Sequence, residues 1–375
     1  YPRSAGSMTR TADFSPRHWQ RVRENWQAWW SGQLKRPLIV IDSTEPGIGS
    51  VFSTLEAHMT QFGLDVPVSD ILDHLQPTMD KVDWMGDSFP RWWPNFGAGI
   101  LAGCMGSPVM YKNGTTWFDP LPNARIDRLE IRLDEENPWW LRVQAVTQAA
   151  VERWGAQVRI GITDLGGNLD ILASLLGSNP LLLDVVDRPD TVQEASLRIT
   201  EIWLSCFRRL AKLTRSEQLG YTCWAPLFMP EPGYMLQSDF SYMISPRMFK
   251  RFVMPDLESC CHLLPSAFYH LDGKGEIPHL DHLLSLDGLR GIQWIPGDGA
   301  PPAEEWIGLL RRIREGGKLC QVYVTPRGAQ KIMRELGGEG FVFCLWIDSG
   351  SGKRDLTHSE GEEALKMLAS EGAWA

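Results

Sequence analysis

The sequence predicts an α/β chain folded as a (β/α)8 TIM-type barrel with an N-terminal extension and a β-hairpin insertion. Three observations predict it. From Gln157 onward, short apolar runs alternate with amphipathic helical stretches, the pattern of parallel strands joined by right-handed crossovers. The 375 residues suit one barrel with additions. No GxGxxG follows a strand-like run, which disfavours a dinucleotide-binding open sheet.

The elements follow in order. Residues 1–7 read as a cloning remnant before Met8, and residues 8–375 as a single barrel domain. RPLIVID (36–42) is the first strand, and a second is expected around 98–104. Residues 107–138 break the rhythm. There, YKNGTTW carries the Asn113-Gly114 hairpin signal, and IDRLEIRL (126–133) alternates like a strand. Six more strands are expected: QVRIGITD (157–164), GYTCWAPLF (220–228), SAFYHLD (266–272), GIQWIPG (291–297), KLCQVYV (318–324) and GFVFCLW (340–346).

Helices lie between them. Ser245 is a good N-cap with Pro246 as first helical residue, and Pro255 should break that helix. TPRGAQKIMREL (325–336) and HSEGEEALKMLAS (358–370) close the pattern.

Composition excludes some functions. A net charge of −9 argues against nucleic acid or an anionic membrane as main partner, and no window has the roughly 18 apolar residues of a membrane span. Seven scattered cysteines without a CxxC pair suit a reduced, cytoplasmic protein. Most of the 17 tryptophans, including the Trp92-Trp93 and Trp139-Trp140 doublets, are expected in packing.

Chemistry is expected where barrel strands end. His270 and Asp272 are two apart on one strand and so share a face. Buried there, they need partners. Asp164, Asp170, Trp224, Asp239, Gln293, Trp294 and Cys344 fall at or just after other strand ends. Simpler roles compete: Asp170 as a helix cap, His279 and His282 on a solvated helix face, and Cys344 as a small buried hydrophobe.

DLGGNLDILASLLGSNPLLLDVVDRPD, QSDFSYMISPRMFKRFVMPDL and HLDG followed by GLRGIQWIPGDG together resemble the uroporphyrinogen decarboxylase-like superfamily. The resemblance is to its corrinoid- or cobalamin-linked methyltransferase branch rather than the true decarboxylases. The decarboxylases' arginine-rich opening has no counterpart after Arg36. The resemblance implies a (β/α)8 barrel with a deep pocket, and a zinc held by a His-x-Cys pair and a late cysteine. Here those positions read His270, Asp272 and Cys344.

It further implies methyl transfer between a small methylated substrate or thiol and a corrinoid carried by a partner protein. Asp239, His270 and Asp272 would be catalytic. Asp164, Asp170, Trp84, Trp92, Trp93, Trp224, Gln293 and Trp294 would bind substrate, and indole faces would attract a methylated ammonium. The alternatives are a metal-free decarboxylase or lyase using Asp239 and His270, and a non-catalytic ligand-binding protein.

Overall fold

A computed structural model describes residues 11–45, 51–348 and 353–372. Its centre is a sheet of β1 (Leu38–Ser43), β2 (Asp83–Gly86), β7 (Gly233–Leu236), β8 (Ser266–Asp272), β9 (Leu289–Ile295), β10 (Leu319–Val324) and β11 (Phe341–Leu345). The order is β2-β1-β11-β10-β9-β8-β7, with β2 antiparallel and the other six parallel. β3 (Arg91–Trp92) pairs separately and in parallel with β6 (Arg159–Ile160).

The expected closed ring is therefore only partly met. Among the described residues the backbone ladder does not run round to close, because antiparallel β2 occupies the outer edge of β1. Side chains and single bonds tie the remainder. Arg91 pairs with Asp42 of β1. Ile162 N–H donates to Thr222 O (3.1 Å), and the Tyr234 hydroxyl donates to Thr163 O (2.7 Å).

Three strand expectations are corrected. GYTCWAPLF forms a lone antiparallel bridge, Tyr221 with Met229, and the strand proper is β7. Pro226 and Pro230 remove the donors a central strand needs. Residues 98–104 hold a short helix, Ile100–Cys104, after two left-handed glycines, Gly97 (φ 89°) and Gly99 (φ 92°). The strand sits earlier, at Arg91–Trp92, hidden in sequence between prolines. IDRLEIRL is a 3-10 turn, Ile126–Arg128, and then extended chain. Its alternating Leu129, Ile131 and Leu133 pack on the core without a partner strand.

The hairpin is as expected. β4 (Val109–Lys112) and β5 (Thr115–Phe118) turn at Asn113 (φ 54°) and Gly114 (φ 82°), both left-handed as a type I′ turn requires. Ser245 caps Pro246–Phe252, accepting from Met248 N–H, and the chain breaks before Pro255 into Met254–Leu263.

The N-terminal extension is the helix Pro16–Trp30. Trp29 and Trp30 pack on Phe268 of β8, with ring centroids 6.1 and 5.7 Å apart. Phe268 leaves no room for a side chain at its register neighbour Gly291, where a Cβ would meet the ring at 2.0 Å. This apolar plug closes one end of the strand bundle and leaves the C-terminal strand ends as the mouth. No helix among the described residues is long and apolar enough on its own to cross a membrane.

Candidate functional site

Alternation along the strands decides which side chains face the mouth. On β8 the inward set is Phe268, His270 and Asp272. His270 is in register with Gln293 of β9, and Gln293 with Gln321 of β10. These make a polar layer: His270 Nδ1 lies within hydrogen-bond reach of Gln293 Oε1, Gln293 Nε2 donates to Gln321 Oε1 (2.8 Å), and Gln321 Nε2 donates to Cys344 Sγ (3.4 Å).

The direction of that chain sets the imidazole's tautomer. Gln293 gives its N–H to Gln321, so its carbonyl oxygen is left for His270. His270 Nδ1 must then carry the proton, and Nε2 is free to accept or to ligate. Burial lowers the His270 pKa, against the raising effects of the Gln293 bond and Asp272, so the ring is neutral near pH 7. Nε2 lies 3.9 Å from Asp272 Oδ2.

Asp239 completes the group. It opens a 3-10 turn, Asp239–Met243, directly after β7. Asp170 holds that turn: its carboxylate accepts from the Asp239 N–H (3.1 Å) and the Phe240 N–H (2.7 Å). One ligand atom each from Asp239, His270 and Asp272 lies within 4.8 Å of the others. Asp239 is exposed to the mouth, and the other two are half-buried.

Carboxylates crowd this side. Burial, then the charge of Asp239, raises Asp170 to about 7. Burial raises Asp164 to about 8, offset in part by the Gly166 N–H it accepts. Asp239, despite its exposed edge, is raised to about 6 by the surrounding protein and by Asp272. Glu276, fully buried beside them and reached by the Tyr269 hydroxyl (3.4 Å), is held well above the usual carboxylate range by burial and by Asp239.

The expected site residues thus separate. Asp164, Asp170, Asp239, His270, Asp272, Gln293 and Trp224 share one side of the mouth. Trp224 stands edge-on to His270 with centroids 5.1 Å apart. Cys344 does not join Asp239, His270 and Asp272, contrary to expectation: two glutamine-bearing strands stand between it and His270, and burial pushes its thiol up to about 12. Its neighbours are Asp42, Glu56, Arg91, Tyr323 and Asp355.

Trp84, Trp92 and Trp93 line a narrow cavity on that second side, which Trp224 also lines. Trp294 faces away from the mouth. It alternates with inward Gln293 and packs on Trp306, centroids 5.2 Å apart. His279 is buried rather than solvated, with Nε2 2.8 Å from Ser241 O and its ring stacked on Phe249. Asp170 is not the N-cap of its helix, which begins after Gly167; it lies in the first turn and its carboxylate reaches back to the Gly167 N–H.

Several residues escaped the sequence reading: Gln321, Glu276, Asp42, Glu56, Arg91 and Tyr323. Gln321 and Asp42 carried a signal, a polar residue inside or ending an apolar run. Arg91, between prolines and tryptophans, carried none.

No family model matches the sequence, and the search of curated proteins finds no match. Among solved structures, a methyltransferase from Methanosarcina mazei is similar, with a TM-score of 0.60 at 13% identity over 94% of this chain and 98% of its own. At that identity the likeness establishes a shared fold across nearly the whole chain.

Proposed function

We propose that the protein is a methyl-transferring enzyme with a metal ion, zinc by donor chemistry, held by Asp239, His270 and Asp272. The observation that carries this reading is the convergence of those three groups at the strand ends. The fold shared with a methyltransferase supports it.

The residues fit a metal on their own chemistry. A neutral imidazole with Nε2 unprotonated and two carboxylates make an N/O set that zinc accepts, with a position left for substrate or water. Gln293 orients the imidazole as outer-shell partners of metal-binding histidines do. Two carboxylates held this close repel until a cation arrives. Bound there, the ion supplies Lewis-acid polarisation of an acceptor thiol or of a methyl donor's leaving group.

This chain's own residues do the rest. Asp170 fixes the turn that presents Asp239. Asp164, whose pKa stands at about 8, holds a proton at neutral pH and can donate it to a substrate heteroatom. The exposed Tyr242 and Met243, on the same turn as Asp239, flank the mouth where a corrinoid protein would dock. The side-chain ties between β1, β3, β6 and β7 would complete an eight-stranded barrel around this mouth. Free cysteines, buried except for the half-buried Cys261, agree with a cytoplasmic setting. A polycarboxylate substrate, as a decarboxylase would need, meets the carboxyl groups of Asp164, Asp170, Asp239 and Asp272 on this side.

The test is metal analysis of purified protein. About one equivalent of zinc, lost in His270→Ala and kept in Cys344→Ala, is expected. Zinc that persists in His270→Ala, or disappears in Cys344→Ala alone, overturns the assignment.

A further inference from the structure

A cleft of about 500 Å³ opens at the end of the strand bundle opposite the mouth, beside the starts of β7 and β8. Buried Phe207 and Tyr221, with half-buried Leu263, form its floor, and exposed Arg208, Lys212 and Glu217 stand on its rim. Its size suits a small organic molecule.

We propose that this cleft is a second ligand site, separate from the mouth, for a small organic anion with a flat apolar body, an aromatic carboxylate by class. The ring lies on Phe207 and Tyr221, and the carboxylate bridges Arg208 and Lys212. The site stands at the far end of the strands from Asp239, His270 and Asp272, so it rests on neither the metal nor the methyl-transfer reading.

Charge decides the ligand class. Arg208 and Lys212 are four apart on the helix Pro189–Leu213 and so lie on one face. Neither side chain forms a hydrogen bond or ion pair among the described residues, whereas the adjacent Arg209 is held at two points by Glu135 (2.7 and 2.9 Å). Like charges at this spacing repel, and a carboxylate set between them removes the repulsion. Glu217 is the one acid that lines the cleft. It stands on the short helix Ser216–Leu219, its charge reaches Tyr221, and it forms no ion pair with Arg208 or Lys212. A cationic ligand would therefore meet two charges of its own sign against one of the other.

The floor decides the body of the ligand. The rings of Trp203, Phe207 and Tyr221 lie nearly parallel, with 5° and 9° between successive planes and centroids 5.6 and 6.3 Å apart. Tyr234 packs edge-on against Trp203 and Phe207. Trp203 Nε1 donates to Gly166 O (3.0 Å) and the Tyr234 hydroxyl to Thr163 O (2.7 Å), so the cluster behind the floor is pinned. A floor fixed before the ligand arrives costs little ordering on binding. Ala211, one turn beyond Phe207, carries only a methyl group and leaves the space above the floor open. The Tyr221 hydroxyl makes no hydrogen bond among the described residues and is a further donor for the anion.

The experiment titrates 2-naphthoate, and the uncharged 2-naphthylmethanol, into the full-length protein as purified, with binding read by calorimetry. 2-Naphthoate is expected to bind saturably and about five-fold more tightly than the alcohol, as two exposed ion pairs allow. In the double variant Arg208→Gln, Lys212→Gln the acid is expected to lose that preference while the alcohol binds as before. Both positions are exposed and helical, and glutamine is a good helix former, so an unchanged circular dichroism spectrum is expected.

Equal affinities for the two probes, no saturable binding of 2-naphthoate, or a preference for the acid that survives in the folded double variant would each overturn the site. The wild-type pair of titrations needs no variant, so a misfolded double variant leaves the question decidable. Zinc content is measured on the same sample. Naphthoate binding as expected without zinc overturns the metal reading alone, and a normal zinc equivalent with failed naphthoate binding overturns this site alone.

Discussion

At the ends of β1, β3 and β11, the Asp42 carboxylate lies against the Arg91 guanidinium, while at the ends of β6, β7 and β8, Asp164, Asp170, Asp239 and Asp272 gather with no lysine or arginine paired to them among the described residues. The first region neutralises Asp42 within the chain, though burial raises Glu56 to about 7 and Asp355 to about 6 there as well. The second has no such pair, and its carboxyl pKa values are raised to about 6, 7 and 8 for Asp239, Asp170 and Asp164. Unpaired buried carboxylates are expensive. A protein keeps them where a ligand brings the missing charge, so the contrast separates a braced wall from a site built to be filled.

The polar layer His270–Gln293–Gln321–Cys344 joins the two regions. It explains why a histidine and a cysteine at similar heights in the mouth have different chemistry. One end of the layer is a neutral imidazole with an open nitrogen, and the other is an inert thiol.

Substitutions on either side can break this contrast, and the greatest effect is expected on the braced wall. Arg91→Met removes one partner of a pair whose side chains are only 11% and 14% exposed. About 3 kcal/mol of stability should be lost in denaturant unfolding. A loss under about 1 kcal/mol would mean that the braced wall is not braced by this pair.

Gln293→Leu deletes the acceptor that sets the His270 tautomer. Metal affinity should fall about 10- to 100-fold, and stability by about 1–3 kcal/mol because Gln321 loses its donor. Unchanged metal affinity in competition with a chelator would remove the glutamine from the site's function.

Asp239→Asn sharpens the acid side through pH. The native pKa of about 6 lies above the ordinary aspartate value. In metal-free protein the native state therefore keeps a proton that the unfolded chain has released. Stability contributed by this group is present at low pH and is lost as pH rises from about 4 to above 6. The asparagine variant should melt a few degrees higher than wild type at pH 8 and show no such gain at pH 4. Equal shifts at both pH values would show that like-charge crowding is not what strains the cluster.

Cys344→Ala should do least. The thiol, held at about 12, should resist alkylating reagents at pH 8 in the folded state. The variant should lose about 1 kcal/mol of packing.

Much of the fold was legible because its signals are local. Strands β8 to β11 fell where apolar runs predicted them, and the Asn113-Gly114 turn announced its hairpin. The early strands were not legible. β3 has two residues among prolines, and the run around Tyr221 looked like a strand but lacked donors. Legibility of the site followed the same division. His270 and Asp272 stood out together because one strand places both on one face. Trp294 was misplaced because its neighbour Gln293 takes the inward position, and a step of one residue reverses the face.

What the sequence determined by itself was the alternation of strands with helices, the inward pairing of His270 with Asp272, and the excess of acid over base at the strand ends. These follow from chain periods of two and 3.6 residues and from composition, which need no knowledge of neighbours. Tertiary structure alone decided that Asp239, from the loop after β7, meets His270, while Cys344 on β11 is held off by Gln293 and Gln321. The order and register of strands in a sheet place residues far apart in the chain side by side or strands apart, and only the folded ladder sets that distance.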